Sequence, residues 1–585
     1  MAAEPARPLR VRWLGRVAYG EALALQEALF AHGSEQQHLL LLEHPHVFTH
    51  GPRADLAANV LVDPVSVGAS LVAVSRGGDV TYHGPGQLVG YPILTLPAKH
   101  GGSRSGLTDT VAYVRSVEQV IIDSLAELGL TTAGRLPEHP GVWIDADGPR
   151  PRKICAIGVR LTRGRTMHGF ALNVTTDMRF LREYIVPCGI GDLPVTSLAE
   201  EGVDASMETV SRIVARHAAA RWTNGGMERQ DVAWRHRPED LSPFSRGAGP
   251  GATVRDAAGH GIDAPGHEGT ASLRLLGRLE QAGVTDGLAI SARKPEWLRP
   301  KVRLGPDVLE LKRTVRGLGL VTVCEEAGCP NLSECWADGT ATFMVLGERC
   351  TRACGFCLVD TRKPMAPDAG EPDRVAQAIE QMHLAHAVVT MVARDDLDDG
   401  GAAHVVATIE AIRRRSPGTA VEVLVSDLRG DAAAIDAVIA GRPDVFNHNL
   451  ETVARLQRAV RPSAGYARSL GALSRARLAG LTTKSGLIVG MGETPTEVEG
   501  ALADLAAIGC GIVTIGQYLR PTTHHLPVAR WVHPDEFRHY TEVGEALGIR
   551  HVEASPLTRS SYHARQAAET ADGQRALVAP AAGFS

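Results

Sequence analysis

A chain of 585 residues with 44% hydrophobic and 22% charged residues has the composition of a globular protein of several domains. Its formal net charge of -5 argues against a nucleic-acid partner, because such proteins usually carry a basic surface. No apolar run approaches the roughly 18 residues of a membrane-spanning helix, and the first residues carry charges where a secretory signal has an apolar core. We therefore expect a cytoplasmic protein that binds neither nucleic acid nor membrane.

Two short apolar runs near the N-terminus, at residues 39–43 and 71–74, have the length and polar ends of buried strands. The second leads into Arg76-Gly-Gly-Asp-Val-Thr-Tyr-His83-Gly-Pro-Gly-Gln87. Four glycines and one proline exclude a helix here and allow the backbone to lie against a ligand. A pair of plain β-turns is the alternative, but Arg76 and His83 at the two edges favour a binding site.

The pattern next predicts a strand at 89–96, an amphipathic helix at 109–128 and a strand at 151–160. Cys188 follows, between Pro187 and Gly189, at a bend where a thiol can face a cavity. A lone cysteine is most often a small core residue. An ammonium group such as that of Lys153 would instead lower its pKa and make it a nucleophile, provided that the two side chains meet.

These stretches together resemble the octanoyltransferases of lipoate biosynthesis over about residues 10 to 225. The motifs that carry the resemblance are residues 76–87, the strand of Lys153, His168-Gly-Phe-Ala-Leu-Asn and Pro187-Cys188-Gly-Ile. It implies the α/β fold shared with biotin and lipoate protein ligases. It also implies that Cys188 takes an octanoyl group from octanoyl-acyl carrier protein as a thioester and passes it to a lipoyl-domain lysine.

In this resemblance Lys153 lowers the pKa of Cys188 and shuttles protons, whereas related ligases activate free lipoate with ATP and do not need the cysteine. Cys155 is expected to fill space in the core. The implied substrate-binding residues are Arg76, Gly77, Gly78, Asp79, Val80, Thr81, Tyr82, His83, Ala156, Ile157, Gly158, Gly169, Phe170 and Ala171.

Residues 236–290 are rich in glycine, proline, alanine and histidine and have no steady apolar period. Such a segment has too little apolar surface to bury and predicts a flexible linker. We therefore expect a first domain at residues 1–235 and a second at residues 291–585.

The second domain contains six short apolar runs between residues 343 and 515 that alternate with helical stretches, which predicts βα units and a parallel sheet. Each run ends in a polar, mostly glycine-rich loop, as do strands that build a site at the carboxyl rim of a barrel. Six units instead of eight predict a partial, TIM-like (β/α)6 barrel, open on one side for a macromolecular substrate.

Six of the nine cysteines lie between residues 324 and 357, in two groups of three with different spacing. So many thiols in a chain without a secretory signal favour metal binding over disulfide formation. The second group, Cys350-Thr-Arg-Ala-Cys354-Gly-Phe-Cys357, offers three thiolates in one turn. Zinc is the alternative, but its sites usually pair Cys-x2-Cys knuckles to give four ligands. Three thiolates suit a cubane iron–sulfur cluster with one iron open to a small molecule.

This spacing resembles that of the radical S-adenosylmethionine (SAM) enzymes, and the second domain resembles lipoyl synthase over nearly its whole length. The matching motifs are Cys324-Glu-Glu-Ala-Gly-Cys329-Pro-Asn-Leu-Ser-Glu-Cys335-Trp, Asn447-His-Asn-Leu-Glu-Thr, Thr483-Lys-Ser-Gly and the tail Arg559-Ser-Ser-Tyr562. One departure lies at Met391 and Ala393, where the family usually has Ser and Asp, near the implied SAM pocket.

The resemblance implies two [4Fe–4S] clusters. Cys350, Cys354 and Cys357 would hold the one that binds and cleaves SAM. The other would be an auxiliary cluster that donates sulfur, and its implied ligands are Cys324, Cys329, Cys335 and a serine of the tail. We assign the tail ligand to Ser561, with Ser560 as the alternative.

Together the two resemblances imply a bifunctional enzyme that octanoylates a lipoyl domain and then inserts sulfur at C6 and C8 of the chain. Unactivated C–H bonds require a radical, which a SAM cluster supplies. The implied partners are octanoyl-acyl carrier protein, lipoyl domains of 2-oxoacid dehydrogenase E2 subunits and of the glycine cleavage H protein, and a ferredoxin- or flavodoxin-type electron donor. The alternatives are an ATP-dependent lipoate ligase joined to another sulfur-inserting radical enzyme, and a chain in which one half is a non-catalytic docking module.

Overall fold

The computed structural model describes residues 7–32, 36–97, 109–187, 193–234, 340–522 and 525–570. Between residues 235 and 339 it describes only 254–255, 261–262, 279–285, 287–289, 292–299, 313, 317–322, 331 and 335. The chain divides into two compact units, Met1–Trp234 and Arg235–Ser585. The linker predicted at 236–290 lies mostly outside the described residues and stays a prediction. None of the described helices has both the length and the apolar content that crossing a membrane requires.

The described part of the first unit contains eleven strands, five α-helices and one short 3-10 helix at Pro64–Val67. The strands are β1 (Leu9–Arg16), β2 (His38–Glu43), β3 (Val47–His50), β4 (Ser70–Ala73), β5 (Thr81–His83), β6 (Gln87–Ile93), β7 (Gly134–Leu136), β8 (His139–Ile144), β9 (Arg152–Thr162), β10 (Arg165–Asn173) and β11 (Met227–Asp231). The helices are α1 (Tyr19–Ala31), α2 (Leu56–Asn59), α3 (Thr110–Glu127), α4 (Arg179–Arg182) and α5 (Met207–Trp222).

Eight of these strands form one sheet in the order β11-β1-β2-β6-β10-β9-β8-β7, and β4-β3-β5 form a smaller one. The strands predicted before β9 and the long helix are all present, so the α/β fold predicted for this half is confirmed. Helix α3 begins where the Asp109 side chain accepts a hydrogen bond from the backbone of Ala112. Its residues Val117 and Ile121, one turn apart, are fully buried in the same core as Val214 and Ala218 of α5.

The described part of the second unit contains ten strands and seven α-helices. The strands are β12 (Val254–Arg255), β13 (Gly261–Ile262), β14 (Val321–Thr322), β15 (Thr340–Val345), β16 (His386–Met391), β17 (Ala420–Leu424), β18 (Val445–Asn447), β19 (Thr482–Val489), β20 (Ile512–Gln517) and β21 (His551–Ala554). The helices are α6 (Glu371–Gln381), α7 (Ala402–Arg415), α8 (Ala432–Ala440), α9 (Gln457–Val460), α10 (Tyr466–Leu478), α11 (Pro495–Ala507) and α12 (Pro534–Ala546).

Strands β15 to β21 form a parallel sheet in chain order, with β14 antiparallel at one edge. Each of the six predicted apolar runs is a strand followed by a helix, which confirms the partial, TIM-like barrel of six βα units. Phe343, Val389, Val423 and Phe446 stand side by side across four strands and are fully buried. The parallel edge strand β21 was not predicted, because three of its four residues are only half-buried and it therefore has no apolar run.

Candidate functional site

The glycine-rich turn of the first unit is held by the buried guanidinium of Arg76. It donates hydrogen bonds to the carbonyl (2.8 Å) and hydroxyl (2.9 Å) of Thr49 and to the carbonyl of Gly77 (3.0 Å). The chain lies so close to β9 that a Cβ at Gly158 would be 3.1 Å from Cδ of Arg76. The turn therefore packs directly on β9 through a position that only glycine fits without displacement.

The remainder of the turn is fixed by side chains from other elements. The amide of Asn59 donates to Asp79 at 2.8 Å, and the hydroxyl of Tyr82 is 2.8 Å from Nδ1 of His46. Residues 81–83 form β5. Residues 76–87 thus contain a turn followed by a strand that pairs with β3. They are therefore not simply the pair of β-turns that the sequence offered as an alternative.

Strands β9 and β10 bring two further predicted segments to the same place. Their antiparallel register pairs Gly169 with Gly158, Phe170 with Ile157 and Ala171 with Ala156. The backbone of Gly77 donates to the carbonyl of Val159 at 3.4 Å, which joins the turn to this pair of strands. Three segments separated in sequence, 76–83, 156–158 and 169–171, therefore meet at one site.

A cluster of buried histidines and tyrosines lies beside this site. Ring centroids are 5.1 Å apart for Tyr19 and His44 and 5.7 Å apart for His44 and His83. Burial lowers the pKa of His44 to about 4. Burial, together with the neighbouring His44 ring and the Arg76 charge, lowers the pKa of His83 well below its ordinary value. These imidazoles are neutral at physiological pH.

His168 belongs to the same group, although the motif that contains it predicted no role for this histidine. It is 1% exposed, has φ of 60°, and neither ring nitrogen has a hydrogen-bond partner among the described residues. Burial and the charges of Arg76 and Arg160 lower its pKa to about 4. The signal that could have found it is a histidine inside the fully buried strand β10.

Lys153 lies on β9, with its side chain buried and its Nζ 4.9 Å from the ring centroid of Trp143. Its backbone amide donates to the carbonyl of Pro194 at 2.8 Å, and its carbonyl accepts from the backbone of Thr196 at 2.9 Å. The neighbouring Cys155 is fully buried, and burial raises the pKa of its thiol strongly. A thiolate at Cys155 is therefore disfavoured.

Cys188 lies outside the described residues, but the chain on both sides of it is fixed. Before it, the backbone of Val186 donates to the carbonyl of Asn59 at 2.9 Å. After it, Val195 pairs with Lys153 in a parallel bridge. The chain before Cys188 is thus bonded to Asn59, whose side chain binds Asp79. The chain after Cys188 is bonded to Lys153.

In the second unit the loop from Cys350 to Cys357 is anchored to neighbouring strands and loops. The backbone of Cys350 donates to the carbonyl of Asp360 (2.8 Å), and Thr351 donates to the carbonyl of Ala393 (2.9 Å). Ala393 contributes only its backbone to this contact, so the departure from the family pattern at that position leaves the contact intact. The loop therefore sits against the segment that follows β16.

Arg352, inside this loop, binds the segments after two strands. Its guanidinium makes two hydrogen bonds of 2.8 Å to Asp395 and an ion pair of 2.6 Å with Asp427. Burial alone would raise the pKa of Asp427, but the Arg352 charge holds it below its ordinary value. The two aspartates follow β16 and β17, so this ion pair locks the cysteine loop to the barrel rim.

The donor set fits an iron–sulfur cluster. The three half-buried thiols of Cys350, Cys354 and Cys357 lie close enough to raise one another's pKa, and burial with these interactions raises the pKa of Cys354 to about 11. In a cluster each thiolate binds a different iron, which fits three cysteines spread along one loop.

The structure describes the predicted auxiliary site only in part. Cys324 and Cys329 lie outside the described residues, while Cys335 and Ser561 lie within them. The backbone of Cys335 donates to the carbonyl of Asn331 at 3.0 Å, and the Asn331 amide donates to the carbonyl of Leu557 at 2.8 Å. The segment of the first cysteine group is therefore bonded to the tail that carries the predicted serine ligand.

Comparison with known proteins decides the family of the second unit. The lipoyl synthase of Rubrobacter xylanophilus is 55% identical over 287 residues, which cover 49% of this chain and 89% of that protein. The lipoyl synthase of Mycobacterium tuberculosis is 50% identical over 311 residues, covering 53% of this chain and 98% of that protein. The chain belongs to the lipoyl synthase family. Residues 283–329 match the N-terminal domain of lipoyl synthase, and residues 344–505 match the radical SAM superfamily.

The first unit adds a second catalytic domain to this lipoyl synthase. Residues 18–219 match the model of the lipoyl protein ligase A/B catalytic domain. A bipartite lipoate protein ligase from Thermoplasma acidophilum resembles it in structure, with 19% identity, 39% of this chain and 88% of that chain covered, and a TM-score of 0.33. The protein is thus a fusion of a lipoate ligase- or transferase-like domain with a radical SAM lipoyl synthase, which uses SAM and iron–sulfur clusters.

Proposed function

We propose that this protein carries out both steps of lipoyl assembly on the same lipoyl domain. The first unit transfers an octanoyl group from octanoyl-acyl carrier protein to a lysine, and the lipoyl synthase unit inserts sulfur at C6 and C8. The observation that supports the transferase step best is the backbone pairing of Lys153 with Val195, a few residues beyond Cys188. Ligase activity, by contrast, has no need of a cysteine there.

The proposed transfer has two halves. The Cys188 thiolate attacks the carbonyl carbon of the octanoyl thioester, and the carrier's thiol leaves with the proton that Lys153 supplies. The amine of the lipoyl-domain lysine then attacks the Cys188 thioester, the amine proton passes to Lys153, and the Cys188 thiolate leaves. Each half exchanges one acyl bond for another, so neither requires ATP.

The contacts of Arg76 also support a transferase over an ATP-dependent ligase. A ligase that activates lipoate with ATP must bind a polyphosphate, for which arginine is a preferred residue. In the described turn, however, two nitrogens of the Arg76 guanidinium donate to Thr49 and Gly77 of the same unit. The neighbouring neutral histidines suit an apolar acyl chain better than a nucleotide.

For the lipoyl synthase unit we propose the ligand sets that the sequence predicts. Cys350, Cys354 and Cys357 bind the cluster that supplies the radical from SAM. The auxiliary, sulfur-donating cluster is bound by Cys324, Cys329, Cys335 and Ser561. The chain's own contribution is to hold these residues in place, through Arg352 at the rim and through Asn331 at the tail.

The proposed partners follow from the two reactions. The acyl donor is octanoyl-acyl carrier protein, and the acceptors are lipoyl domains of 2-oxoacid dehydrogenase E2 subunits and of the glycine cleavage H protein. A ferredoxin- or flavodoxin-type protein supplies electrons. Because both units act on the same lipoyl domain, their covalent connection raises the effective concentration of octanoylated intermediate at the second site.

Mass spectrometry of the purified full-length chain tests the transferase step. Octanoyl-acyl carrier protein alone, without ATP, should leave an octanoyl adduct on Cys188, and adding an apo lipoyl domain should move the adduct to the acceptor lysine. Cys155→Ala is the matched control and should retain the adduct. A reaction that required ATP, or an adduct on Cys155, would show that the first unit is not the proposed transferase.

A further inference from the structure

The C-terminal tail of the lipoyl synthase unit lies against the end of β20. The backbone of Ser555 donates to the carbonyl of Ile515 at 3.1 Å, and that of Gln517 donates to the carbonyl of Pro556 at 3.3 Å. A Cβ at Gly516 would lie 2.0 Å from the carbonyl oxygen of Thr558, so any other residue there would push the tail away. The barrel thus has a position shaped to receive this segment.

Within this tail, Ser560 makes two hydrogen bonds to the barrel. Its hydroxyl is 3.1 Å from Oδ1 of Asn449 and 3.3 Å from Nδ2 of Asn447. Both asparagines belong to the Asn-His-Asn motif at the end of β18. The two adjacent serines of the tail therefore differ, since Ser560 is engaged by the barrel.

The orientation of both amides is fixed by charged neighbours. The Nδ2 of Asn447 also donates to Glu422 at 2.6 Å, and Glu422 is paired with Lys484 at 3.1 Å. The Nδ2 of Asn449 donates to Glu451 at 3.0 Å, which leaves its carbonyl oxygen facing Ser560. Because Asn449 presents an acceptor, Ser560 must donate its hydroxyl proton to it.

This proton distinguishes the two serines chemically. A serine that binds iron does so as an alkoxide, which has no proton to donate. In the observed arrangement the Ser560 hydroxyl donates to Asn449 and accepts from Asn447. Ser560 could therefore bind iron only if its hydrogen bonds to Asn447 and Asn449 were broken.

We propose that Ser560 is a positioning residue, which fixes the tail to Asn447 and Asn449 so that Ser561 is presented to the auxiliary cluster. This inference rests on the proposed role of Ser561 as a ligand. Asn331 supports it, because its bond to Leu557 ties the segment of the first cysteine group to the same tail. Cys335 and the tail are thereby connected through Asn331.

The test uses the full-length chain in which Cys350, Cys354 and Cys357 are all replaced by alanine, so that only the auxiliary cluster forms. In this background we compare Ser560→Ala, Ser561→Ala and Ser555→Ala after anaerobic reconstitution. Ser555→Ala is the matched control, because it removes a hydroxyl contact of 2.8 Å with Thr558 in the same tail. The readouts are the Mössbauer spectrum of the cluster and its rate of iron loss to a chelator.

Ser561→Ala should change the Mössbauer signal of the one iron without a thiolate ligand. Ser560→Ala should retain that signal, yet lose iron about fivefold to tenfold faster than Ser555→Ala, as expected for losing one or two neutral hydrogen bonds. Asn449→Ala removes the same bond from the other side, together with the bond from Asn449 to Glu451, so it should also lose iron faster than Ser555→Ala. Combining the two should cost less than the sum of their separate effects, because they share one interaction.

The outcomes separate the two ideas. If Ser561→Ala leaves the iron signal unchanged, the proposed ligand is wrong. If Ser561→Ala changes the signal while Ser560→Ala loses iron no faster than Ser555→Ala, the ligand stands and the positioning role of Ser560 is wrong. If instead Ser560→Ala alone changes the signal, the two serines have exchanged roles and the inference is overturned.

Discussion

Both units bury polar side chains at their candidate sites, but the first gathers neutral imidazoles near the guanidinium of Arg76, whereas the second contains buried ion pairs. Burial lowers the pKa values of His44 and His168 to about 4, so these rings carry no charge near pH 7. In the barrel, Glu422 and Lys484 are both fully buried and 3.1 Å apart. Burial alone would raise the pKa of Glu422, but the Lys484 charge holds it below its ordinary value.

The difference matches what each site has to hold. For the acyl transfer that we propose, neutral rings suit an apolar chain and add no further uncompensated charge to the site. The barrel must instead fix the ends of several strands around charged ligands. Ion pairs such as Arg352 with Asp427 do this, because breaking one leaves an unpaired charge in the interior. Buried ion pairs thus fix the geometry of the barrel, whereas the histidine cluster of the first unit is uncharged near pH 7.

The largest expected effects come from removing one reactive group from each unit. Cys188→Ser should abolish octanoyl transfer, because a serine hydroxyl in place of the thiolate is a far weaker nucleophile near neutral pH. Cys350→Ala should abolish SAM cleavage, because the cluster that binds SAM loses a ligand. Octanoyl transfer and release of 5′-deoxyadenosine, measured on the same purified variants, check both.

Each of these variants should keep the other activity, since the two chemistries share no residue. Replacing Cys324, Cys329 and Cys335 together should spare both octanoyl transfer and SAM cleavage but yield no lipoyl product. Iron content should fall from about eight to about four per chain in that triple variant. A Cys188→Ser chain that failed to cleave SAM would show that the two sites are not independent.

The second-largest expected effect tests the buried ion pair of Glu422 and Lys484. Lys484→Met should leave Glu422 buried without its partner and destabilise the lipoyl synthase unit by about 3–5 kcal/mol. The exposed pair Arg414–Asp373 provides the matched control, with both side chains more than half exposed. Arg414→Met should cost less than about 1 kcal/mol. Thermal unfolding of the full-length variants compares the two, and equal effects would contradict a structural role for the buried pair.

The sequence predicted the features that are encoded locally. Apolar runs located six barrel strands, and cysteine spacing predicted a cluster at the loop that follows β15. The edge strand β21 was missed because a half-exposed edge needs no apolar run. The meeting of His44, His83 and His168 could not be predicted, because it depends on which strands become neighbours in space.

The same limit applies to the tail. The motif Arg559-Ser-Ser-Tyr562 gave no physical reason to distinguish its two serines, and the assignment of Ser561 rested on resemblance. The distinction depends on Asn447 and Asn449, more than a hundred residues earlier in the chain, and on the carboxylates that orient their amides. Side-chain networks of this kind are set by tertiary packing.

A third prediction concerns Lys153, which like Arg76 is a buried cation of the first unit. Lys153→Ala should slow acylation of Cys188 about tenfold to a hundredfold, because an ordinary thiol is only a few per cent ionised at pH 7. Lys153→Arg should also be slow, since arginine keeps the charge but cannot release a proton. Alkylation of Cys188 followed against pH measures the thiolate. An unchanged titration in Lys153→Ala would rule out the proposed effect on the pKa of Cys188.

The smallest expected effect tests the neutral histidines through pH. His44 and His168 have pKa values lowered to about 4 in the folded unit, while an unfolded histidine titrates near 6.5. The unfolded chain therefore binds these protons more tightly. Their contribution to stability is fully present above about pH 6.5 and is lost as the pH falls toward 4. At about pH 5.5 each of these two histidines should already have lowered the free energy of unfolding by about 1 kcal/mol.

His168→Asn removes one of these groups where asparagine accepts the positive φ better than most residues. Thermal unfolding of the full-length chain at about pH 7 and about pH 5.5 should show a smaller acid-induced loss for this variant than for the parent. His217→Asn is the control, because its ring is partly exposed and bonded to Glu127. The control should retain more of the parent's acid sensitivity. If His168→Asn lost as much stability on acidification as the parent, the His168 ring would already accept a proton in the folded unit, and the contrast between neutral rings and paired ions would fail there.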